Sequence, residues 1–211
     1  MKNVDIDFKD TFLTTYNIIK WMKSNDVFHL FFASSSAVYG DHGKNILSEK
    51  TGPLLPLSNY GAMKLASEAI ITAASESFLK TAMIFRFPNV VGIPATHGVI
   101  FDFFNKLKKN PDILNVLGDG TQKKSYLHVD ELIDAMLYIK NKLFNKGLVL
   151  YNIGPNNDNG VTVKTIAEEV VKSLVLNSNI VYGQGNKGWI GDVPEFNYST
   201  EKLKNLVGNP N

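Results

Sequence analysis

The chain has 211 residues, no cysteine, 44% hydrophobic and 20% charged residues, and a formal net charge of +2 at neutral pH. This length suits one domain, or one and a half, around a sizeable core, while so small a charge with no basic stripe excludes a nucleic-acid binder. The missing cysteines exclude disulfides and thiolate metal sites and fit a reducing, cytoplasmic setting.

The N-terminal stretch "MKNVDIDFKDTF" carries mixed charge and no apolar core, so no secretion signal is expected there. No apolar run approaches the ~20 residues of a membrane span. Asp10 to Lys23 reads as an amphipathic helix with Phe12, Tyr16, Ile19 and Met22 on one face. "VFHLFFAS" is apolar for a strand's length without alternation, as in a parallel strand buried on both faces. A polar loop with Gly43, Gly52, Pro53 and Pro56 comes next. Ser58 to Lys80 is a predicted helix with Ser58 as its N-cap. "TAMIFRF" is a second buried strand, closed by Pro88. Val99 to Lys109 is a helix, "LNVLG" a short extended piece, and Val129 to Leu143 a helix led by Asp130 and Glu131. "LVLYNIG" is a third strand, Thr162 to Leu176 a helix, "NIVYG" extended, and Ser199 to Val207 a last short helix.

Strands alternating with helices predict a parallel α/β sheet. Gly183 to Gly188 spells G-x-G-x-x-G, the spacing of a dinucleotide-binding loop. Such a loop needs a helix at once and an acidic residue roughly 20 positions on. Here Trp189, Ile190, Gly191, Asp192 and Pro194 come next, which do not open a helix. The run therefore reads as a glycine-rich surface loop. Gly185, Gly188 and Gly191 also space as G-x-x-G-x-x-G within this same stretch, and outside residues 183–191 neither pattern occurs in the sequence.

The stronger chemical signal is "SNYGAMKLASE". Tyr60 and Lys64 stand one helical turn apart and share a face. A phenol with a reference pKa near ~10 is a poor base at neutral pH, and a neighbouring ammonium favours its phenolate. Such a pair can take a proton from an alcohol and return it, although the same spacing also fits a solvated helix face. Ser34, Ser35 and Ser36 follow the first strand, at the carboxyl end where open α/β sheets place ligands. A serine there could hydrogen-bond the alcohol that Tyr60 deprotonates. These serines equally fit a turn that satisfies its own backbone, with more force for Ser34 than for Ser35.

"SSSAVYGD", "SNYGAMKLASE", "RFPNVVG" and "LGDGTQKKSYLHVDEL", in this order and through to "GDVPEFNYSTEKL", resemble the extended short-chain dehydrogenase/reductase family of NAD-dependent nucleotide-sugar epimerases and dehydratases. The resemblance is strongest to the UDP-glucose 4-epimerases. It implies a partial Rossmann-like sheet with a small C-terminal substrate-binding subdomain. Residues 1–92 would hold the catalytic motifs. Residues 93–211 would mainly bind the sugar nucleotide, with strand 148–153 returning to the sheet.

The resemblance also implies roles. Tyr60 matches the catalytic base, Lys64 the residue that lowers its pKa and holds the nicotinamide ribose, and Ser35, four before Tyr39, the catalytic Ser/Thr. Ser34 and Pro88 fall on the cofactor side, together with Tyr60 and Lys64. On the substrate side fall Ser36, Asn89 near the diphosphate, and Val116 and Leu117 against the uracil. Lys124 and Lys187 take the places of two diphosphate-gripping arginines, and Asp192 an acidic position near the sugar nucleotide. The glycine run thus gains a substrate-side role. NAD is the implied cofactor and a UDP-sugar the implied ligand.

Departures from the family pattern narrow these expectations. Lysine for arginine keeps the charge but loses the bidentate fork. Ser36 and Ala37 stand where dehydratases carry an Asp-Glu pair, which disfavours dehydration. Thr11 stands where epimerases often place a cofactor-binding Asn. The family's opening βαβαβ half, with its G-x-x-G-x-x-G loop, has no counterpart in these residues. Two further readings stay open: a truncated or split-gene remnant that binds a sugar nucleotide or a partner chain without turnover, and a decarboxylase or reductase relative. Weak NAD binding by this chain alone is expected, with homodimer formation or pairing to a separate cofactor half through the strand at Val27 to Ala33. His29, His42, His97 and His128 are scattered, no metal site is expected, and His128 reads as a helix-start residue.

Overall fold

The computed structural model describes residues 4–155 and 160–208. The chain opens with α1 (Val4–Asp7), passes through a π-helical stretch, Phe8–Leu13, and continues as α2 (Thr14–Ser24). β1 (His29–Ala33) precedes a 3-10 turn at Ser36–Val38 and β2 (Ile46–Leu47). α3 (Asn59–Ser77) leads into β3 (Thr81–Arg86) and β4 (Asn89–Val91). Then come α4 (Val99–Lys109), β5 (Ile113–Val116), β6 (Lys123–Lys124), β7 (Tyr126–His128) and α5 (Val129–Leu143). β8 (Gly147–Asn152), β9 (Val161–Thr162), α6 (Val163–Ser173), β10 (Asn179–Tyr182), β11 (Asn197–Tyr198) and α7 (Glu201–Gly208) complete the order.

The main sheet is parallel, in the order β1-β3-β8. β3 is buried at every position, as its unbroken apolar run with a single arginine dictates. On one face Met22 of α2 and Ile71 and Ala74 of α3 pack against Leu30, Phe32, Ala82 and Ile84. On the other, Leu132 and Ile139 of α5 and Leu203 and Leu206 of α7 pack against Met83, Phe85, Val149 and Tyr151. Fully buried side chains such as Ile71 and Phe85 each contribute roughly 1.5–3 kcal/mol of transfer free energy. A second core lies beyond residue 98. There Phe103 and Leu107 of α4 meet Val163, Ile166, Ala167 and Val171 of α6 over the parallel pair β5–β10.

Helix starts obey local chemistry. Ser58 Oγ accepts from Gly61 N at 3.0 Å, Thr162 Oγ1 accepts from Thr165 N at 3.0 Å, and His128 caps α5 with Glu131 returning to the His128 backbone. The first helix departs from the expected face. Its buried residues are Thr15 and Met22, with Ile19 beside them, while Tyr16 is 48% exposed. The wider π turn rotates α2 away from the face that a pure 3.6-residue period would give it.

β1 departs from burial on both faces. Among the described residues it forms one edge of the sheet, with β8 at the other, and Phe31 is 39% exposed. Ile18 of α2 and Phe31 line one side of a hollow of about 220 Å³ beside that edge. Among the described residues no helix is long and apolar enough to cross a membrane.

Candidate active site

The site begins where β1 ends. Its ladder runs on past the strand, with Ser34 N donating to Phe85 O at 2.8 Å and Ser36 N to Phe87 O at 3.1 Å. Ser35 is extended, and its Oγ accepts from Ala37 N at 3.2 Å, capping the 3-10 turn. α3 starts directly against this turn. A Cβ on Gly61 would lie 2.5 Å from the Ala37 carbonyl oxygen, so only glycine permits the approach.

That approach delivers Tyr60 and Lys64 to the serine turn. The Ser35 side chain stands near enough to the Tyr60 hydroxyl to favour its ionised form. Lys64 Nζ lies 5.6 Å from the centroid of the Tyr60 ring and 4.9 Å from that of Phe32, and donates to Ala33 O at 2.8 Å. Tyr60 is 40% exposed, yet partial desolvation of its hydroxyl raises its pKa, the Ser35 side chain opposes that rise, and Asp7 adds to it. Burial lowers Lys64, and the Glu68 carboxylate partly restores it. Asp10, Thr11 and Thr14 of the first helix line the same hollow as Lys64. The structure therefore brings Ser35, Tyr60 and Lys64 to one strand end, with the Lys64 ammonium beside the Tyr60 ring. Such a group can exchange a proton with a bound alcohol.

Ser34 is 1% exposed and its hydroxyl is donated to Glu68 Oε1 at 2.5 Å, so its side chain is tied to α3 rather than open to a ligand. Ser36 is 8% exposed. Pro88 is buried beside Gly154.

A second cluster lies beyond β3. Asn89 is exposed, and its Nδ2 donates to Ser125 O at 3.4 Å. One residue earlier, Lys124 Nζ lies 2.6 Å from Asp192 Oδ1 and also donates to Val193 O. Asp192 Oδ2 accepts from Gly188 N at 3.0 Å. The glycine run thus folds back as a loop anchored by its own downstream acid, with no helix after it until α7. Its other end is held by Gly183 N donating to Val116 O at 3.1 Å. Val116 is buried in the second core, whereas Leu117 is 62% exposed at the loop's rim. Lys187 is exposed and its carbonyl faces Gly118. Burial and the Asp192 carboxylate push Tyr126 up to about 12.

The two clusters adjoin. Gly191, with φ of +90°, brings the 188–192 loop so close to the Leu57 carbonyl that a Cβ would lie 2.5 Å from it. Leu57 directly precedes the cap of α3. Among the described residues no histidine or acidic cluster could hold a metal ion, and His128 caps a helix, as its position in the sequence predicts.

Sequence reasoning missed the polar network beneath the serine turn. Arg86 grips Glu68 through Nε at 2.9 Å and Nη2 at 2.5 Å, with both residues about 95% buried. Its guanidinium lies 4.8 Å from the Tyr39 ring centroid. The Tyr39 hydroxyl donates to Asn152 Oδ1 at 2.7 Å. The available signal was an arginine inside the apolar run "TAMIFRF" and a glutamate one turn beyond Lys64.

Comparison with known proteins places the chain in a family. The sequence pattern of the NAD dependent epimerase/dehydratase family matches residues 2–154. The chain belongs to this family. It is 33% identical over 144 residues to a putative UDP-glucose 4-epimerase of Methanocaldococcus jannaschii, covering 64% of this chain and 46% of that protein. A crystal structure of UDP-galactose 4-epimerase superposes with a TM-score of 0.86 at 33% identity, over 98% of this chain and 66% of that one. MoeE5 in complex with UDP-glucuronic acid and NAD superposes with a TM-score of 0.79 at 25% identity, over 94% and 64%. The chain thus spans about half the length of the curated relative and about two thirds of the solved ones.

Proposed function

We propose that this chain carries the proton-transfer and substrate-binding residues of a UDP-sugar 4-epimerase. The observation that supports this best is the placement of Tyr60 beside Ser35 at the strand end, with the Lys64 ammonium 5.6 Å from the Tyr60 ring centroid. Tyr60 would take the proton of the sugar 4-hydroxyl and return it after the 4-keto sugar has turned its other face. Ser35 would hold that oxygen, and Lys64 would favour the phenolate. Bound NAD would accept the C4 hydride and give it back. Tyr60, Lys64 and Pro88 would fit its reacting end, while the glycine run 183–191 opens no helix that could hold its pyrophosphate.

Asn89, Lys124, Lys187, Asp192 and Leu117 would bind the UDP portion. Lys124 already pairs with Asp192, so a diphosphate would compete with or join an existing ion pair. A non-catalytic reading rests on the open β1 edge: the chain would bind a sugar nucleotide but need a partner at that edge for turnover.

The test is a titration of the 211-residue chain with UDP-glucose, UDP-N-acetylglucosamine and UDP-glucuronate, followed by proton NMR. Binding with slow appearance of the 4-epimer on adding NAD supports the full reading. Binding without epimer supports the non-catalytic one, and no binding of any of the three overturns both.

A further inference from the structure

Proton transfer by Tyr60, Ser35 and Lys64 gives no part to the buried charges beneath the serine turn. Glu68 and Arg86 are 5% and 4% exposed, and Ser34 is 1% exposed. Burying a carboxylate and a guanidinium is costly unless their geometry is tightly met. Here it is met from three elements. Arg86 on β3 holds both Glu68 oxygens. Glu68 on α3 accepts the Ser34 hydroxyl at the end of β1. One turn earlier on α3, Lys64 holds the carbonyl of the neighbouring Ala33.

Two successive turns of α3 therefore grip two successive residues of the chain, and the next residue is Ser35. Tyr60 lies one turn further along the same helix. The strand-end height and the helix that carry the two reacting hydroxyls are thus locked to each other by side chains that touch neither.

We propose that Ser34, Glu68 and Arg86 are positioning residues that fix Ser35 against Tyr60. The proposal deepens the epimerase reading and rests on it for its meaning, but its geometry stands without turnover. The charged groups around the pair are Asp7 and Asp10 from the first helix and Lys64 and Glu68 from α3, with Arg86 behind them on β3. If the clamp loosens, Ser35 withdraws and Tyr60 loses the neighbouring hydroxyl that favours its phenolate.

The experiment is the titration of Tyr60 in the full chain, followed by NMR of ring-labelled tyrosine and assigned with Y60F. E68Q would leave a buried guanidinium without its counter-charge. The informative variants are therefore S34A, which deletes one hydroxyl, and E68M/R86M, which removes both charges together. Each should raise the Tyr60 midpoint by roughly 0.5–1 pH unit, the scale of one lost hydrogen bond. S34T, which restores a hydroxyl, should move it back toward wild type. A Tyr60 midpoint unchanged in whichever of S34A and E68M/R86M remains folded overturns the proposal. The readout needs no substrate, so an inactive wild-type chain would count against the epimerase reading and leave this result standing.

Discussion

At Tyr60 burial and hydrogen bonding pull in opposite directions. Burial holds the phenol protonated, while the Ser35 hydroxyl favours the phenolate. If Tyr60 is the base, the active form is the deprotonated one. Its population grows as pH rises toward a raised pKa, so turnover should climb from neutral into alkaline pH, until Lys64, lowered by burial, loses its own proton. A pH–rate profile that falls steadily above neutrality would contradict this role. Y60F should lower turnover by about 10²–10⁴-fold, the usual contribution of a positioned acid–base group, and leave UDP-sugar affinity nearly intact. Steady-state kinetics with calorimetry separates the two effects. The lysines differ from each other. K187A removes an exposed charge and should weaken UDP binding by an amount that shrinks with salt. K124A also strands the Asp192 carboxylate, 8% exposed as a side chain, and should destabilise the fold by roughly 3 kcal/mol. Calorimetry across a salt series and thermal melts distinguish them. Equal melting temperatures for the two variants would show that the Lys124–Asp192 pair contributes nothing. Ser35, Tyr60 and Lys64 were legible in the sequence because one strand end and one helical turn place them. The Glu68–Arg86 pair was not, because its partners lie 18 residues apart on different elements and only the packed fold joins them.

Among the elements, the long helices and the three sheet strands could be read from apolar periodicity and caps. β2, β4, β6, β7, β9 and β11 could not. Each is two or three residues long, too short to show a period, and exists because a partner strand arrives from elsewhere. The start of α3 shows what local rules hide. Glycine in a first helical turn looks unfavourable, and alanine would gain up to about 1 kcal/mol of helix propensity. Yet a Cβ at position 61 would stand 2.5 Å from a backbone carbonyl that no side-chain rotation can move. The contact should outweigh the propensity. G61A should lose roughly 1–3 kcal/mol, as overpacking does, and melt several degrees lower. It should also push the serine turn away from Tyr60. A melting temperature equal to or above wild type would show that helix and turn can separate freely, and would weaken every distance-based statement about the pair.

For the whole molecule, a parallel sheet covered by helices on both faces ends at β1 on a strand with apolar side chains and an open backbone edge. Phe31, 39% exposed, and Ile18, 45% exposed, face the same hollow. Such an edge pairs readily with another strand. The sequence pattern located this edge but overestimated its burial, since an apolar run is the same whether its partner strand belongs to these residues or to another chain. A dinucleotide also needs a helix N-terminus for its pyrophosphate, and on the proposed reading Tyr60, Lys64 and Pro88 would surround only its reacting end. Supplying the rest would take roughly three βα units of ~30 residues each. The 211-residue chain should therefore bind NAD weakly, with a dissociation constant above the micromolar range. It should also associate through β1, with itself or with a chain that adds strands to that edge. Sedimentation velocity should show a concentration-dependent dimer that F31K dissociates, because a lysine on an edge strand disfavours strand pairing. Calorimetry should show NAD heats too small to fit at micromolar protein. A monodisperse monomer that binds NAD at micromolar affinity would overturn both expectations, since it would mean that the hollow beside Lys64 holds the cofactor without a phosphate-binding helix.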